Sequence, residues 1–203
     1  MENSLFLSNN VYRVGWSNGG GGGIAVFDAQ VKVTNTTFYG NTSFKNGGAI
    51  AISGSAESTG AITLTNVTIA GGVAGSPGSA IAGSLPVILR NTIISNNSGA
   101  ACDAAGHLVD GGGNLHWPAN DTSCVGMAGD PKLQSVEYNG NYEYVRTMAL
   151  GAGSAALNLG LAYCPAADQR GLRRWLAPAV CDAGAYEQRL ARWMPVILNG
   201  TEQ

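Results

Sequence analysis

The chain has 203 residues, a formal net charge of −2 and only 12% charged residues. Such a small net charge gives no electrostatic basis for binding nucleic acid or an anionic membrane. No run of about 18 apolar residues is present, so we expect no transmembrane segment. The 30 glycines and the scarcity of charge disfavour a helical protein and favour short strands joined by many turns.

A seven-residue phrase recurs through the first half of the chain. It reads Asn35-Thr-Thr-Phe-Tyr-Gly-Asn41, and variants of it begin at Asn3, Asn66 and Asn91, so that the leading asparagines are 32, 31 and 25 residues apart. A recurrence at about 20–50 residues is typical of a solenoid, in which each repeat stacks on the next. We therefore predict that residues 1–100 form about four stacked coils of parallel strands.

A second phrase marks the strand that enters each coil. Gly22-Gly-Ile-Ala-Val26 is matched by Gly47-Gly-Ala-Ile-Ala-Ile52 and by Gly78-Ser-Ala-Ile81, and two alternating apolar residues precede each later asparagine. Alternation places both apolar residues on the same side of a strand. The positions predicted to form the core are Ile24, Val26, Val31, Val33, Phe38, Ile50, Ile52, Ile62, Leu64, Ile69, Ile81, Val87, Leu89 and Ile94.

The asparagines that begin the repeated phrase are predicted to lie at turns. Asn tolerates a positive φ, and its side-chain amide can bond the backbone. If the coils stack about 4.8 Å apart, Asn35, Asn66 and Asn91 come into register and can pass hydrogen bonds along the stack. We therefore predict a structural asparagine ladder at this corner.

The repeat rhythm stops after Asn97. Residues 101–188 are predicted to form an irregular cap over the last layer of core, followed by a tail of residues 189–203. All four cysteines lie in the cap region, and their even number in a glycine-rich chain predicts disulfides formed in an oxidising compartment. Pairing between sequence neighbours would give Cys102–Cys124 and Cys164–Cys181, with the other connectivities left open.

Several phrases of the second half resemble a known family. Leu150-Gly-Ala-Gly-Ser154 is followed by Cys164-Pro-Ala-Ala-Asp-Gln-Arg-Gly171 and Cys181-Asp-Ala-Gly-Ala-Tyr-Glu187. Together they resemble the C-terminal part of the bacterial surface proteins described as choice-of-anchor Q domain proteins, and the resemblance covers residues 1–188. It implies an all-β, right-handed parallel β-helix of the pectate-lyase-like superfold, and a secreted or cell-surface location.

Two positions depart from the family pattern. Asn158 stands where an Asp is usual, and Trp175 follows Arg174 where a proline is usual. Any structural or metal-binding role that the family gives to that Asp is therefore not carried over to this chain.

The same superfold includes polysaccharide lyases and glycoside hydrolases, which need clustered carboxylates and, in the lyases, calcium. Residues 1–100 contain only three carboxylates, Glu2, Asp28 and Glu57. They are expected to fall in different coils and at different corners, so no catalytic residue is predicted among the repeats.

The cap region holds the one candidate site. Its residues are Asp168, Arg170, Asp182 and Glu187. They could act as metal ligands or as an acid–base pair served by the arginine. Alternatively, the aspartates form turns and the arginine pairs with a carboxylate of the cap.

Aromatic residues offer a further hypothesis. Trp16, Trp117 and the tyrosines from Tyr138 to Tyr144 could form a platform for sugars, or could instead cover the end of the stack.

The sequence as a whole predicts a non-catalytic, exported β-solenoid that serves in adhesion, glycan binding or as a rigid stalk. The alternatives are a polysaccharide lyase or glycoside hydrolase, and a purely structural spacer. No cofactor is expected, with calcium as the one candidate ion, and the expected partner is a polysaccharide or cell-surface glycan. The sequence does not indicate an oligomeric state.

Overall fold

The computed structural model describes residues 1–12, 20–104, 107–140 and 145–188. Within these residues the secondary structure consists of strands alone, and no helix is long and apolar enough to cross a membrane. In chain order the strands are β1 (Leu5–Leu7), β2 (Asn10–Val11), β3 (Ile24–Phe27), β4 (Gln30–Thr34), β5 (Thr37–Tyr39), β6 (Thr42–Ser43), β7 (Ile50–Ser53), β8 (Ala61–Thr65), β9 (Thr68–Ala70), β10 (Val73–Ala74), β11 (Ile81–Gly83), β12 (Val87–Arg90), β13 (Ile93–Ser95), β14 (Cys102–Asp103), β15 (Leu108–Asp110), β16 (Leu115–Trp117), β17 (Met127–Ala128), β18 (Leu133–Glu137), β19 (Thr147–Leu150), β20 (Gly160–Leu161) and β21 (Val180–Cys181).

Parallel sheets are built from strands that recur once per repeat. Their orders are β1-β5-β9-β13-β16-β17, β2-β6-β10, β3-β7-β11-β14 and β4-β8-β12-β15. Within a sheet, equivalent residues of successive repeats pair directly, as Val33 does with Leu64 and Leu64 with Leu89. Each core position therefore lies against the same position of the neighbouring repeat. The remaining pairs of strands, β18 with β19 and β20 with β21, are antiparallel.

The predicted core is confirmed. Every apolar position predicted from the alternating pattern lies in, or packs against, one continuous hydrophobic cluster. The ring of Phe6 stacks on that of Phe38 with 4.7 Å between the centroids, so the first repeat continues the core. Because burial stabilises each large aliphatic side chain by about 2 kcal/mol, these rows supply most of the driving force for folding.

The stack continues past residue 100, and the prediction that its rhythm stops after Asn97 is wrong. Strands β14, β15 and β16 pair with β11, β12 and β13, and β17 extends the longest sheet to residue 128. The repeat was not recognisable because its two marker residues change. Cys102 pairs with Ile81 in the entering strand, and Gly113, with a φ of 69°, takes the corner position of the asparagine. Glycine adopts this conformation without steric penalty.

Residues 145–188, which we call the brace, run along the outer face of the longest sheet rather than over the end of the stack as predicted. Ala183 packs with Ile93 of β13, and the backbone N–H of Ala185 donates to the hydroxyl of Thr68 in β9. Farther along, the side chain of Gln169 donates to the carbonyl of Ser4. The outer face of this sheet carries hydroxyl and aliphatic side chains rather than charges, which makes it suited to being covered.

The four cysteines form the two disulfides between sequence neighbours. Cys102–Cys124 ties β14 to the segment that precedes β17, and it contributes to the main core. Cys164–Cys181 closes the segment between β20 and β21 within the brace. The predicted tail, residues 189–203, lies outside the described residues.

Candidate functional site

One corner of the stack is a row of asparagines in the left-handed backbone conformation. The φ angles are 47° at Asn35, 51° at Asn66 and 49° at Asn91, and all three side chains are buried. A positive φ is uncommon outside glycine but is enriched in Asn. Each backbone N–H donates to a carbonyl of the next repeat, as that of Asn66 does to Arg90. The predicted turn conformation of this row is therefore confirmed.

The side-chain amides of this row bond to each other and to the brace. Asn91 donates to the amide oxygen of Asn66 across 3.2 Å, which is one rung of the predicted ladder. Asn66 in turn donates to the carbonyls of Asp182 and Gly184, at 3.0 and 3.2 Å. The row thus connects repeats to each other and to the brace.

Asn35 is engaged by the brace at both ends of its amide. Its nitrogen donates to the carbonyl of Ala167 across 2.8 Å, and its oxygen accepts from the guanidinium of Arg174 at 3.2 Å. In the predicted ladder, the partner of Asn35 is the neighbouring asparagine. In the structure the brace provides its partners instead, because a backbone carbonyl and an arginine of the brace lie against this corner.

The first half of the predicted cap site is an ion pair between Asp168 and Arg170. The carboxylate is fully buried and accepts from the guanidinium Nη2 at 2.6 Å and Nε at 2.9 Å. Its oxygens also accept backbone N–H groups of Arg170, Leu172 and Glu187. The guanidinium lies 3.7 Å from the ring centroid of Tyr186 and donates to the carbonyl of Glu187. Asp168 thereby orders a turn and ties it to the end of the brace.

The second half of that site centres on Arg174, whose side chain is fully buried. It donates to the carboxylate of Glu187 at 2.6 Å and to the carbonyl of Gly184 at 3.0 Å. The same carboxylate oxygen accepts the backbone N–H of Asp182. Burial raises the pKa of Glu187, and the bond from Asp182 and the Arg174 charge offset this only in part.

Asp182 completes the cluster through two backbone bonds. Its oxygens accept the N–H groups of Asn158 and Gln188, at 2.8 and 2.6 Å. Burial raises the pKa of this carboxyl, and the two bonds and Arg174 offset part of the effect. The structure therefore brings the four predicted residues together through Glu187, and each of the three carboxylates accepts hydrogen bonds from the chain itself. Among the described residues, no group of three or more His, Cys, Asp and Glu side chains is placed to hold a metal ion.

Two polar residues of this region were missed by sequence reasoning. Arg174 was noted only for the residue that follows it, yet it joins Glu187 to Asn35. Gln169 accepts from the hydroxyl of Thr37 at 2.5 Å and donates to Ser4. The signal that was available is the threonine two residues after Asn35 and after Asn66. The hydroxyls of these threonines, Thr37 and Thr68, bond to the brace.

Two of the three carboxylates of residues 1–100 lie at one corner, whereas different corners were expected. The carboxylate of Asp28 accepts the backbone N–H of Ser55, in the loop that also contains Glu57. Hydrogen bonds from Ser58 and Ser55 lower the pKa of Asp28. This exposed aspartate therefore anchors a loop.

A cleft of about 570 Å³ opens next to the Cys102–Cys124 disulfide, and Asn97, Asp121 and Ser123 are among its lining residues. Burial raises the pKa of Asp121, but bonds from Ser123 and from the N–H of Ala101 outweigh it, so the pKa lies below its ordinary value. The carboxylate thus holds the walls of the cleft together.

One exposed face of the stack is the outer side of the sheet β4-β8-β12-β15, which we call the flat face. Its outward side chains include Lys32, Thr63, Thr65 and Val109, which are fully or partly exposed. Parallel register aligns these side chains in rows from strand to strand, and Ile88, which is partly exposed, lies in the row of Thr63 and Val109. Arg90 continues the row of Thr65 at the edge of this face.

Aromatic side chains are exposed at places that the sequence did not single out. Of the predicted platform, Tyr138 is 53% exposed and Trp117 is partly buried, while Trp16 and residues 141–144 lie outside the described residues. Tyr163 and Trp175 of the brace are each 59% exposed. Tyr163 lies beside Arg90, and Trp175 lies beside Arg173.

Comparison with protein-family models, with curated proteins and with solved structures found no significant match to this chain. Its function is therefore inferred from the residues and geometry described above.

Proposed function

We propose that this protein is an exported, non-catalytic cell-surface β-solenoid that binds glycan on a rigid, flat surface. The observation that carries this proposal is the outer face of the sheet β4-β8-β12-β15. Thr63 and Thr65 of β8 face outward here, and Thr34 of β4 pairs with Thr65 across the sheet. Each of these hydroxyls can donate and accept hydrogen bonds to a sugar hydroxyl. A sheet supported from beneath by a packed core holds such groups at fixed spacing.

The proposed architecture is a right-handed parallel β-helix, as in choice-of-anchor Q domain proteins. It is supported by the pairing of equivalent strands, one repeat apart, in parallel sheets around a shared core. Stacking of equivalent strands is how a solenoid buries a continuous core. The right-handed path is the one that connections between parallel strands almost always follow.

Export is supported by the two disulfides, since such bonds persist in oxidising compartments. A location outside the cytoplasm also suits a protein whose proposed partner is an extracellular glycan.

The non-catalytic assignment is supported by the state of the candidate carboxylates. Asp168, Asp182 and Glu187 are at most 8% exposed, and each accepts at least two hydrogen bonds from the brace. A general acid or base must come within hydrogen-bond reach of the substrate. These carboxylates instead serve as fixed points that hold the brace against the repeats.

The proposal is tested on a panel of immobilised neutral and acidic glycans, with and without calcium. Retention of the protein and the appearance of new glycan chain ends are both measured. We expect retention without new ends. Thr63→Glu, which places a carboxylate in the flat face, should weaken retention by about tenfold, the effect of losing about 1.4 kcal/mol.

The matched control is Ala25→Glu, which introduces the same side chain at an exposed position of a different sheet. It should leave retention unchanged. New chain ends, absence of retention on every glycan, or an equal effect of both variants would overturn the proposal.

A further inference from the structure

Two exposed aromatic side chains of the brace each lie beside an arginine. The guanidinium of Arg90 is 4.0 Å from the ring centroid of Tyr163, and that of Arg173 is 5.6 Å from the ring centroid of Trp175. Stacking on an aromatic ring orients a guanidinium while leaving its N–H edge open to an acceptor. Both pairs therefore combine an apolar ring face with a positioned cationic donor.

The two pairs lie at different levels of the same corner. The side chain of Asn91 donates to the carbonyl of the residue that precedes Tyr163. Arg173 forms a bridge with Ala167, whose carbonyl accepts from Asn35. Asn35 and Asn91 belong to repeats two apart, so the levels are separated by about 10 Å, twice the strand spacing of about 4.8 Å.

The backbone that carries Tyr163 is held in an uncommon conformation. Ala162 and Tyr163 have φ angles of 53° and 51°, so two consecutive non-glycine residues are left-handed. The amide of Asn91 holds this turn from both sides, by accepting from the N–H of Leu161 and donating to the carbonyl of Ala162. Tyr163 is thereby kept over Arg90, more than half exposed.

Arg90 and Arg173 are not paired with the carboxylates of the brace. The brace carboxylates are buried in their own network, and Asp110 of β15 accepts from Gly112 and Asn114. Glu2 and Lys32 lie together at the first-repeat edge of the flat face, where Glu2 bridges to β4. Within the described residues, the Nε of Arg90 is buried without a hydrogen-bond partner. Asp110 and Glu2 are themselves exposed, but among the described residues neither Arg90 nor Arg173 forms a salt bridge.

We infer that this corner binds an acidic polysaccharide built from uronic acids. Carboxylates of the polymer meet the guanidinium groups of Arg90 and Arg173, a pairing that can be bidentate. The apolar faces of its sugar rings lie against Tyr163 and Trp175. A polyuronate carries a carboxylate on every ring, so one chain running along the stack can reach both pairs. This inference rests on the proposed glycan binding and specifies the class of glycan and its contact residues.

The experiment measures binding to immobilised polygalacturonate at low and at physiological salt. The test variant is Arg173→Gln combined with Trp175→Ala. The control combines Lys132→Gln with Phe44→Ala, which also removes one exposed cation and one exposed ring, away from this corner. We expect the test variant to bind about tenfold more weakly. It lacks both the guanidinium of Arg173, which the ring orients for pairing with a carboxylate, and the ring of Trp175, on which a sugar would stack. The control should bind as the wild type does.

Further ligands test whether binding depends on the carboxylates of the polysaccharide. Fully methyl-esterified polygalacturonate keeps the sugar rings but lacks the charge, and it should bind at least about tenfold more weakly. Unchanged affinity of the test variant, equal binding of the ester, or stronger binding to phosphatidylserine vesicles would overturn the inference. Retention on neutral glycans alone would overturn it while leaving the proposed function intact. Absence of binding to every glycan would overturn both. Cooperative thermal unfolding of each variant establishes that it is folded.

Discussion

The side-chain nitrogen of Asn91 donates to the side-chain oxygen of Asn66 across 3.2 Å, joining residues of successive repeats. Each of these two residues also donates to a carbonyl of the brace, Asn66 to Asp182 and Asn91 to Ala162. The corner asparagines therefore fix the turn, connect neighbouring repeats and hold the brace, and a substitution there tests all of these roles.

Asn66→Gly tests the side-chain hydrogen bonds of this residue while keeping its backbone conformation. Glycine adopts the positive φ of this position freely, but it removes the bonds from Asn66 to the carbonyls of Asp182 and Gly184 and the bond that Asn66 accepts from Asn91. Both carbonyls keep their bonds from Arg174. Because each lost hydrogen bond contributes about 0.5–1.5 kcal/mol, we expect a loss of about 2–4 kcal/mol in urea unfolding. Asn96→Gly is the control, since Asn96 has a φ of 53° but is exposed. An equal loss in both variants would contradict the bonding role.

Leu64→Asp and Thr63→Asp test the register of β8. Leu64 is fully buried in the core, whereas Thr63 faces outward. An unpaired carboxylate in the core should cost more than about 4 kcal/mol and abolish cooperative melting, while the same group at the neighbouring position should change stability by about 1 kcal/mol or less. The reverse order of effects would mean that the strand is displaced by one residue, because that shift exchanges its two faces.

Replacing Cys164 and Cys181 together by serine should loosen the brace. The bond closes a separation of 17 residues, so the chain-entropy model gives a loss of about 3 kcal/mol. We expect faster hydrogen exchange at the amide of Gly184, which bonds the carbonyl of Asn91. The matched variant lacks the Cys102–Cys124 bond, with a separation of 22 residues, and should lose similar stability without the change at Gly184. Equal exchange of the Gly184 amide in both variants would show that the Cys164–Cys181 disulfide does not hold the brace.

The stability of the fold should fall as the pH rises above about 4. Burial raises the pKa of Asp182 above its ordinary 3.8 and that of Glu187 above its ordinary 4.5. Between those ordinary values and the raised ones, the folded protein keeps protons that the unfolded chain has released, so the free energy of unfolding decreases with pH. The contribution of these two carboxyl groups to the free energy of unfolding is present in full below their ordinary pKa values. It is lost once the pH exceeds their raised pKa values.

Urea unfolding between pH 3.5 and pH 7 checks this prediction in the wild type and in Asp182→Asn. The variant cannot titrate at this position and should show a shallower fall, whatever its absolute stability. Asp103→Asn, at an exposed position, should keep the slope of the wild type. Stability that rises steadily across this range in the wild type would contradict the raised pKa values.

The repeats were predictable because their signals are local. Alternation within β8 assigns Leu64 to the core, and the recurrence of the phrase gives the register with Val33 and Leu89. Past Asn97 the same signals fail, since Cys102 replaces an aliphatic residue and Gly113 replaces the corner asparagine. The geometry of the stack is kept there by residues that meet the same steric requirements with different chemistry.

The candidate site was predictable as a set but not in its connections. Asp168, Arg170, Asp182 and Glu187 stand out as the charged residues of two conspicuous phrases. Arg174, which bonds Glu187 and the carbonyl of Asp182, also reaches Asn35, 139 residues away in sequence, and no periodic pattern encodes that contact. The path of the brace along the sheet depends on such contacts, and for that reason an end cap was predicted instead.

The bond from Gln169 to Ser4 links residues 165 apart, and this determines when the fold can be completed. A growing or translocating chain presents its first repeats long before Gln169 has been synthesised, and domains begin to fold from the N-terminal side. During this interval the outer hydroxyls of Thr37 and Thr68 are hydrated, and the early repeats are held only by their stacking. Contacts of such high sequence separation form slowly. We therefore expect the brace to dock late, along the flank of repeats that have already formed.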